Sequence, residues 1–331
     1  MRGWAIAAGL VTASGAIIVA GLAAVRAQAS AERLTGALVA AELRARPAEP
    51  TKPAAVAAAA VAASPAPAPP PVAAAPTAAA PAPTPPAPTP VSFRQTNTYN
   101  GNVVYVPTDC AADYDVVLHF HGAHPYLKDL AEKAQLHAVV VVYNAGNGAE
   151  RYAQAFQAGG ILTSLLKQVA MAVAPLCGGA SAKPRRVALS AWSAGYGATE
   201  KLITRAEDRD RIDAVLLADG LHAGFADPYR RQFAPNALQA FRDFGELAKR
   251  GEKLFAITHS SIGTDGYAST TECSKLLLKA LNVPVEGELV SGKSGDFSIE
   301  GSSGDDKAAH ITQFRQMDRA LYSKLRARWS R

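Results

Sequence analysis

The sequence predicts an α/β domain with a mostly parallel, doubly wound sheet over residues 91–331, preceded by a membrane or signal helix and a disordered linker rich in Ala and Pro. Three observations lead to this prediction. Short apolar runs alternate with longer helical stretches after residue 91, which is typical of βαβ units. Ala and Pro dominate the first ninety residues, and an uncharged apolar run from Trp4 to Val25 stands near their start.

The apolar run is long enough to cross a bilayer as a helix. We therefore expect residues 1–29 to be either an uncleaved signal anchor or a cleaved signal peptide with Ala27-Gln28-Ala29 as its cleavage site. The length of the run favours the anchor. The first alternative tethers the domain to a membrane outside the cytoplasm, and the second makes it secreted or periplasmic.

Two further segments separate this helix from the domain. Leucines recur at helical spacing over residues 30–46, which predicts a short juxtamembrane helix that Pro47 ends. Residues 47–90 consist almost only of Ala, Pro, Thr and Val. Such a composition has nothing large to bury and predicts an extended spacer, partly of polyproline II type.

Charge and cysteine usage narrow the class of protein. The net charge of +6 is scattered, without a basic stripe interleaved with aromatic residues, so we expect no nucleic-acid partner. The three cysteines, Cys110, Cys177 and Cys273, lie far apart and have no metal-site spacing, so we expect no metal and no other cofactor. One pair could form a disulfide in an oxidising compartment, and buried free thiols are the alternative.

The domain itself shows a repeated order of strands and helices. Apolar runs predict strands at 102–106, 115–120, 138–143, 187–189, 213–218, 253–258 and 285–290. Helical spacing predicts helices at 152–174, 198–205, 236–249, 270–281 and 311–328. A loop rich in Gly and Ser, residues 291–304, leads to the last helix.

Ser193 stands between the predicted strand 187–189 and the helix 198–205. Small residues, Ala191 and Gly195, flank it two positions away on either side, where the strand and helix backbones must pass close together. This arrangement resembles the nucleophile elbow of the α/β-hydrolases, although Ala191 stands where the G-x-S-x-G motif has its first Gly. The resemblance extends from about residue 103 to the C-terminus.

The resemblance implies a catalytic triad in the chain order Ser, acid, His. Ser193 is then the nucleophile, and His310, after the last strand, is the base. Asp219 directly follows the strand after the elbow helix and is the favoured acid. The family more often places the acid one strand later, where the first carboxylate is Asp265, so this alternative stays open.

The same resemblance implies an oxyanion hole made of two backbone N–H groups. One belongs to Ala194, directly after the nucleophile, and the other to Ala123 in the segment His121-Gly122-Ala123. The His121 side chain is expected to brace that segment.

Several aromatic and imidazole side chains are candidate substrate contacts: Trp192, His222 and His259, with Tyr267 equally open between a contact and a structural role.

The resulting functional hypothesis is a serine hydrolase, foremost a carboxylic ester hydrolase, that takes a small or polymeric acyl substrate. The loops are too short for a large lid, which favours an open site. Two alternatives remain. One is a catalytically silent binding or scaffolding module of the cell envelope. The other is an amidase or peptidase that acts on cell-wall peptides.

Overall fold

A computed structural model describes residues 90–331 of the chain. The predicted signal helix, the juxtamembrane helix and all but the last residue of the linker lie outside these residues. Within residues 90–331, none of the helices combines the length and the apolar character that a membrane span requires.

The core of the domain is a nine-stranded sheet. Its strands are β1 (Phe93–Asn97), β2 (Val103–Pro107), β3 (Asp113–Phe120), β4 (Val139–Tyr143), β5 (Lys183–Trp192), β6 (Ile212–Ala218), β9 (Leu254–His259), β11 (Gly292–Ser294) and β12 (Phe297–Gly301). They lie in the order β1-β2-β4-β3-β5-β6-β9-β12-β11. The six central strands, from β4 to β12, pair in parallel, and antiparallel pairs close the sheet at both edges. This confirms the predicted mostly parallel α/β sheet.

Helices cover both faces of the sheet. The helices are α1 (His124–Lys133), α2 (Ala149–Ala155), α3 (Ile161–Val173), α4 (Tyr196–Thr204), α5 (Ala206–Arg209), α6 (Gln239–Lys249), α7 (Thr270–Ala280), α8 (Lys307–Arg315) and α9 (Ser323–Trp329). Helices α1, α8 and α9 pack on one face, while α2, α3, α4, α6 and α7 pack on the other. Successive residues of β3 point into the two different cores, because side chains alternate along a strand.

A small second sheet lies beside the main one. Its strands, β7 (Ala223–Asp227), β8 (Gln232–Phe233) and β10 (Tyr267–Ala268), pair antiparallel. They come from the segments that follow β6 and β9. The segment after β6, where the sequence predicted no strand or helix before residue 236, therefore forms a short β-hairpin of β7 and β8.

Two predicted elements are wrong. Residues 285–290 form no strand, because Gly287 and Val290 have φ values of 65° and 57°, which break an extended backbone. The last parallel strand is β12 instead, and its Phe297 and Ile299 are buried in the core. The predicted helix 152–174 is two helices, α2 and α3, because Gly160 has a φ of 77° and interrupts it.

One pair of cysteines is joined. Cys110, after β2, forms a disulfide with Cys177, which follows α3. Cys273 is buried in α7 as a free thiol. The structure thus contains one of the two arrangements that the sequence left open.

Candidate active site

Ser193 lies on a sharp turn between β5 and α4. Its φ of 49° is a strained, left-handed value for a residue with a side chain. A short 3₁₀ turn, Ser193–Gly195, joins the strand to the helix. This is the backbone geometry of a nucleophile elbow.

The small residues around Ser193 have different reasons to be small. A Cβ atom on Gly195 would lie 2.1 Å from the carbonyl oxygen of Phe120, so no larger residue fits there. Ala191, in contrast, has regular strand pairing with Phe120 on one side and Leu217 on the other. Its methyl group is accommodated, and the first Gly of the motif is not needed in this chain.

Asp219 and His310 meet at the carboxyl edge of the sheet. The Nδ1 atom of His310 lies 2.9 Å from Oδ2 of Asp219, and the hydroxyl of Ser260 lies 2.5 Å from the same oxygen. Asp219 is fully buried at the end of β6. Burial alone would raise the pKa of its carboxyl, but the hydrogen bonds from His310 and Ser260 hold that pKa below its usual range.

The acid lies next to the nucleophile. A Cβ atom on Gly220, which follows Asp219, would lie 2.8 Å from the backbone oxygen and 3.0 Å from the backbone nitrogen of Ser193. Both Ser193 and His310 belong to the described residues, and no hydrogen bond joins their side chains. Such bonds are often long without substrate and tighten in the complex.

Asp265 takes no part in this arrangement. It lies exposed in the loop before β10, and the carboxylate that bonds to His310 is that of Asp219.

The segment around Gly122 is fixed from several sides. The Gly122 N–H donates to Oδ1 of Asn144, and Nδ2 of Asn144 donates back to the Gly122 carbonyl, both at 3.0 Å. The His121 N–H donates to the Tyr143 carbonyl, and the His121 side chain bonds to the hydroxyl of Tyr152 at 2.9 Å. These bonds brace the loop that presents the Ala123 N–H at the start of α1.

The other expected oxyanion donor, Ala194, is the residue directly after Ser193 in the 3₁₀ turn. It is half-buried, as is Ala123. The two residues therefore stay the predicted donors.

The three candidate substrate contacts differ in exposure. His259 is fully buried, and its two ring nitrogens lie 2.8 and 3.0 Å from the carbonyl oxygens of Ser260 and Val290, so it does not face a substrate. Trp192 is only 9% exposed, and its indole stacks on the imidazole rings of His121 and His310. These two expectations are corrected, because both side chains are buried.

His222 stays a candidate contact. It packs edge to face against Tyr196 and Tyr267, with 5.3 Å between ring centroids in each pair, and Tyr267 is 46% exposed. Its Nδ1 bonds to the Ala268 carbonyl, and burial lowers its pKa.

Sequence reasoning missed two residues of this site, Ser260 and Asn144. Each directly follows the end of a parallel strand, β9 or β4. Because the carboxyl ends of parallel strands meet at one edge, a polar residue there was the available signal.

Similarity to known proteins is confined to solved structures. No protein-family model matches the chain, and no curated protein is significantly similar to it in sequence. An esterase from Mycobacterium marinum is 15% identical over 71% of this chain and 82% of that one, with a TM-score of 0.39. A poly(3-hydroxybutyrate) depolymerase from Bordetella parapertussis is 14% identical over 68% of this chain and 89% of that one, with a TM-score of 0.41.

The fold of this chain follows from its own geometry. The features that define its fold are the parallel sheet, the strained elbow after β5, and the order of nucleophile, acid and base candidates along the chain. Residues 90–331 therefore have the α/β-hydrolase fold.

Proposed function

We propose that this chain is a serine hydrolase that cleaves an ester or a related acyl bond through an acyl-enzyme on Ser193. The observation that supports it most is that a strained serine and a buried acid–imidazole pair lie at the same edge of the sheet. Strain of this kind persists where the surrounding fold enforces it, and it is concentrated at functional sites.

In the proposed reaction, Oγ of Ser193 attacks the substrate carbonyl carbon while its proton passes to Nε2 of His310. The carbonyl π electrons move onto oxygen, and the N–H groups of Ala123 and Ala194 stabilise the resulting oxyanion. When the carbonyl re-forms, the bond to the leaving alcohol breaks, and His310 returns the proton to that alcohol. A water molecule then attacks the acyl-enzyme by the same route and releases the acid.

The Asp219 carboxylate determines which nitrogen of His310 is available. An ionised carboxylate only accepts hydrogen bonds, so the 2.9 Å contact requires the proton on Nδ1 of His310. The Nε2 lone pair is then free to accept the Ser193 proton.

We also propose that the domain acts outside the cytoplasm, tethered by or released from its N-terminal helix. The Cys110–Cys177 disulfide supports this location, because disulfides persist in oxidising compartments. When the protein is denatured and alkylated without reduction, mass spectrometry should find one alkylated cysteine, Cys273. Three alkylated cysteines in protein isolated from its own host would contradict this location.

A fluorophosphonate probe tests the reaction, because it labels only an activated serine. The wild-type chain should be labelled and Ser193→Ala should not. The matched control is Ser261→Ala, which removes an exposed hydroxyl from a loop at the same edge and should keep the label. Absence of label on a folded wild-type protein would favour the silent binding module.

Labelled protein can then be given p-nitrophenyl esters of graded acyl length and acyl-peptide amides. Turnover of the esters alone supports the esterase. Faster turnover of the amides would move the assignment to an amidase or peptidase.

A further inference from the structure

Trp192, directly before the nucleophile, contacts the proposed base in two ways. Its Nε1–H donates to the backbone carbonyl of His310 at 3.2 Å. Its indole also stacks on the His310 imidazole, with 5.0 Å between ring centroids and 30° between planes. One side chain therefore holds both the backbone and the ring of His310.

The same indole also contacts His121. The two rings lie 5.2 Å apart and are almost parallel, at 15°. Phe314 packs on Trp192 as well, with ring centroids 5.1 Å apart. Trp192 thus stacks on two imidazoles, one from the proposed oxyanion loop and one from the proposed base.

The two imidazoles differ in their ability to carry charge. Burial, with a smaller contribution from nearby His310, lowers the pKa of His121 to about 4, so this ring is neutral at neutral pH. His310, in contrast, has the Asp219 carboxylate at Nδ1 and a side chain that is 20% exposed. Of the two imidazoles on Trp192, only that of His310 therefore has a carboxylate hydrogen-bonded to it.

From this arrangement we propose that the face of Trp192 stabilises the imidazolium of His310, the cation formed when Ser193 gives up its proton, through a cation–π interaction. The proposal rests on the proposed hydrolase function and gives Trp192 a positioning role. A Trp face attracts a cation within about 6 Å of its centre, and its energy corresponds to about 2- to 30-fold in rate.

The interaction acts on the rate of the chemical step. In the proposed reaction the imidazolium forms in the transition state and the tetrahedral intermediate, because His310 must reach them as a neutral base to take the Ser193 proton. Weakening the Trp192 face should therefore lower kcat and leave KM unchanged.

Fluorinated tryptophans test this directly, because fluorine withdraws electrons from the ring face and changes its size little. We would replace the residue at position 192 of the full-length chain with mono-, di- and trifluorotryptophan, and follow p-nitrophenyl acetate hydrolysis. Each added fluorine should lower kcat further, by about 2- to 30-fold in total, while KM stays constant.

Trp329 is the matched control. It also carries a cation on its face, since the Arg186 guanidinium lies 5.1 Å from its ring centre, but it belongs to the C-terminal helix α9. The same fluorinated residues at position 329 should leave kcat unchanged. A kcat that does not respond to fluorination at 192, or that responds equally at 329, would overturn the proposal.

Two ordinary variants provide a second test. Trp192→Phe keeps an aromatic face and should retain more kcat than Trp192→Leu, which keeps only bulk. If both lose kcat equally while they remain folded by circular dichroism, the face is not what matters. Failure of the proposed function is distinguishable, because wild-type protein without fluorophosphonate labelling shows it before Trp192 is altered.

Discussion

The carboxylate of Asp219 accepts from the His310 imidazole at 2.9 Å across a separation of 91 residues. The Ser260 hydroxyl donates to the same oxygen, Oδ2, while the buried Oδ1 has no hydrogen-bond partner among residues 90–331. All the hydrogen bonds that the structure gives this carboxylate therefore converge on one oxygen. Loss of either donor should have large effects on the site.

Asp219→Asn should lower kcat by about 10³- to 10⁴-fold. An amide in place of the carboxylate no longer enforces the proton on Nδ1 of His310, so Nε2 ceases to be a reliable acceptor. Steady-state hydrolysis of p-nitrophenyl acetate measures the change. Asp265→Asn is the control and should retain wild-type kcat, because Asp265 lies exposed away from His310. A larger loss of kcat in Asp265→Asn than in Asp219→Asn would make Asp265 the acid of the triad instead.

Ser260→Ala should destabilise the fold in a pH-dependent way. The hydrogen bonds that Asp219 accepts hold the pKa of its carboxyl below the unfolded value. The ionised carboxylate therefore stabilises the fold above about pH 4, and this stabilisation is lost as the pH falls through the folded pKa. Urea unfolding should show that Ser260→Ala lowers the free energy of unfolding by about 2 kcal/mol at pH 7 and by a smaller amount below pH 4.

Ser261→Ala serves as the neighbouring control for that measurement. The Ser261 hydroxyl donates to the carbonyl of Ser302, which carries no titratable charge. Its effect on the free energy of unfolding should be the same at both pH values. A pH-independent loss in Ser260→Ala would mean that the hydroxyl does not favour the charged form of Asp219.

The parallel sheet and the chain order of the candidate site residues could be predicted from the sequence, because most buried strands appear in it as apolar runs. The strand β12 was missed for a physical reason. Phe297 and Ile299 alternate with Ser298 and Glu300, so the segment lacks a continuous apolar run. Residues 285–290 contain three apolar residues of their own, Val285, Leu289 and Val290, which led to the wrong prediction. Apolar content alone does not report on the backbone angles that exclude a strand.

The site could be predicted only as far as its chain order. Each of the three candidates comes after a strand of the sheet, and this order can be predicted from the sequence: Ser193, Asp219 and His310. The roles of Ser260 and Trp192 depend on hydrogen bonds and ring contacts between segments far apart in the chain. No local sequence pattern encodes such contacts, because they form only when the chain folds.

Asn144→Asp should lower kcat by about tenfold with little change in KM. The carboxylate keeps an acceptor for the Gly122 N–H but loses the donor to the Gly122 carbonyl, which loosens the loop that presents Ala123. Asn147→Asp makes the same chemical change at an exposed position of the same loop and should be silent. Equal losses in both variants would mean that added negative charge, rather than the broken bond, causes the effect.

Gly195→Ala should damage both the fold and the elbow. The new methyl would lie 2.1 Å from the carbonyl oxygen of Phe120, a backbone atom that cannot move without displacing β3. We expect a loss of about 3 kcal/mol or more in the free energy of unfolding, measured in urea, together with loss of fluorophosphonate labelling. Gly263→Ala is the control, because a Cβ atom there meets nothing within 4 Å, and its stability should change by less than about 0.5 kcal/mol. Wild-type stability and labelling in Gly195→Ala would show that β3 and the elbow do not approach as closely as this geometry requires.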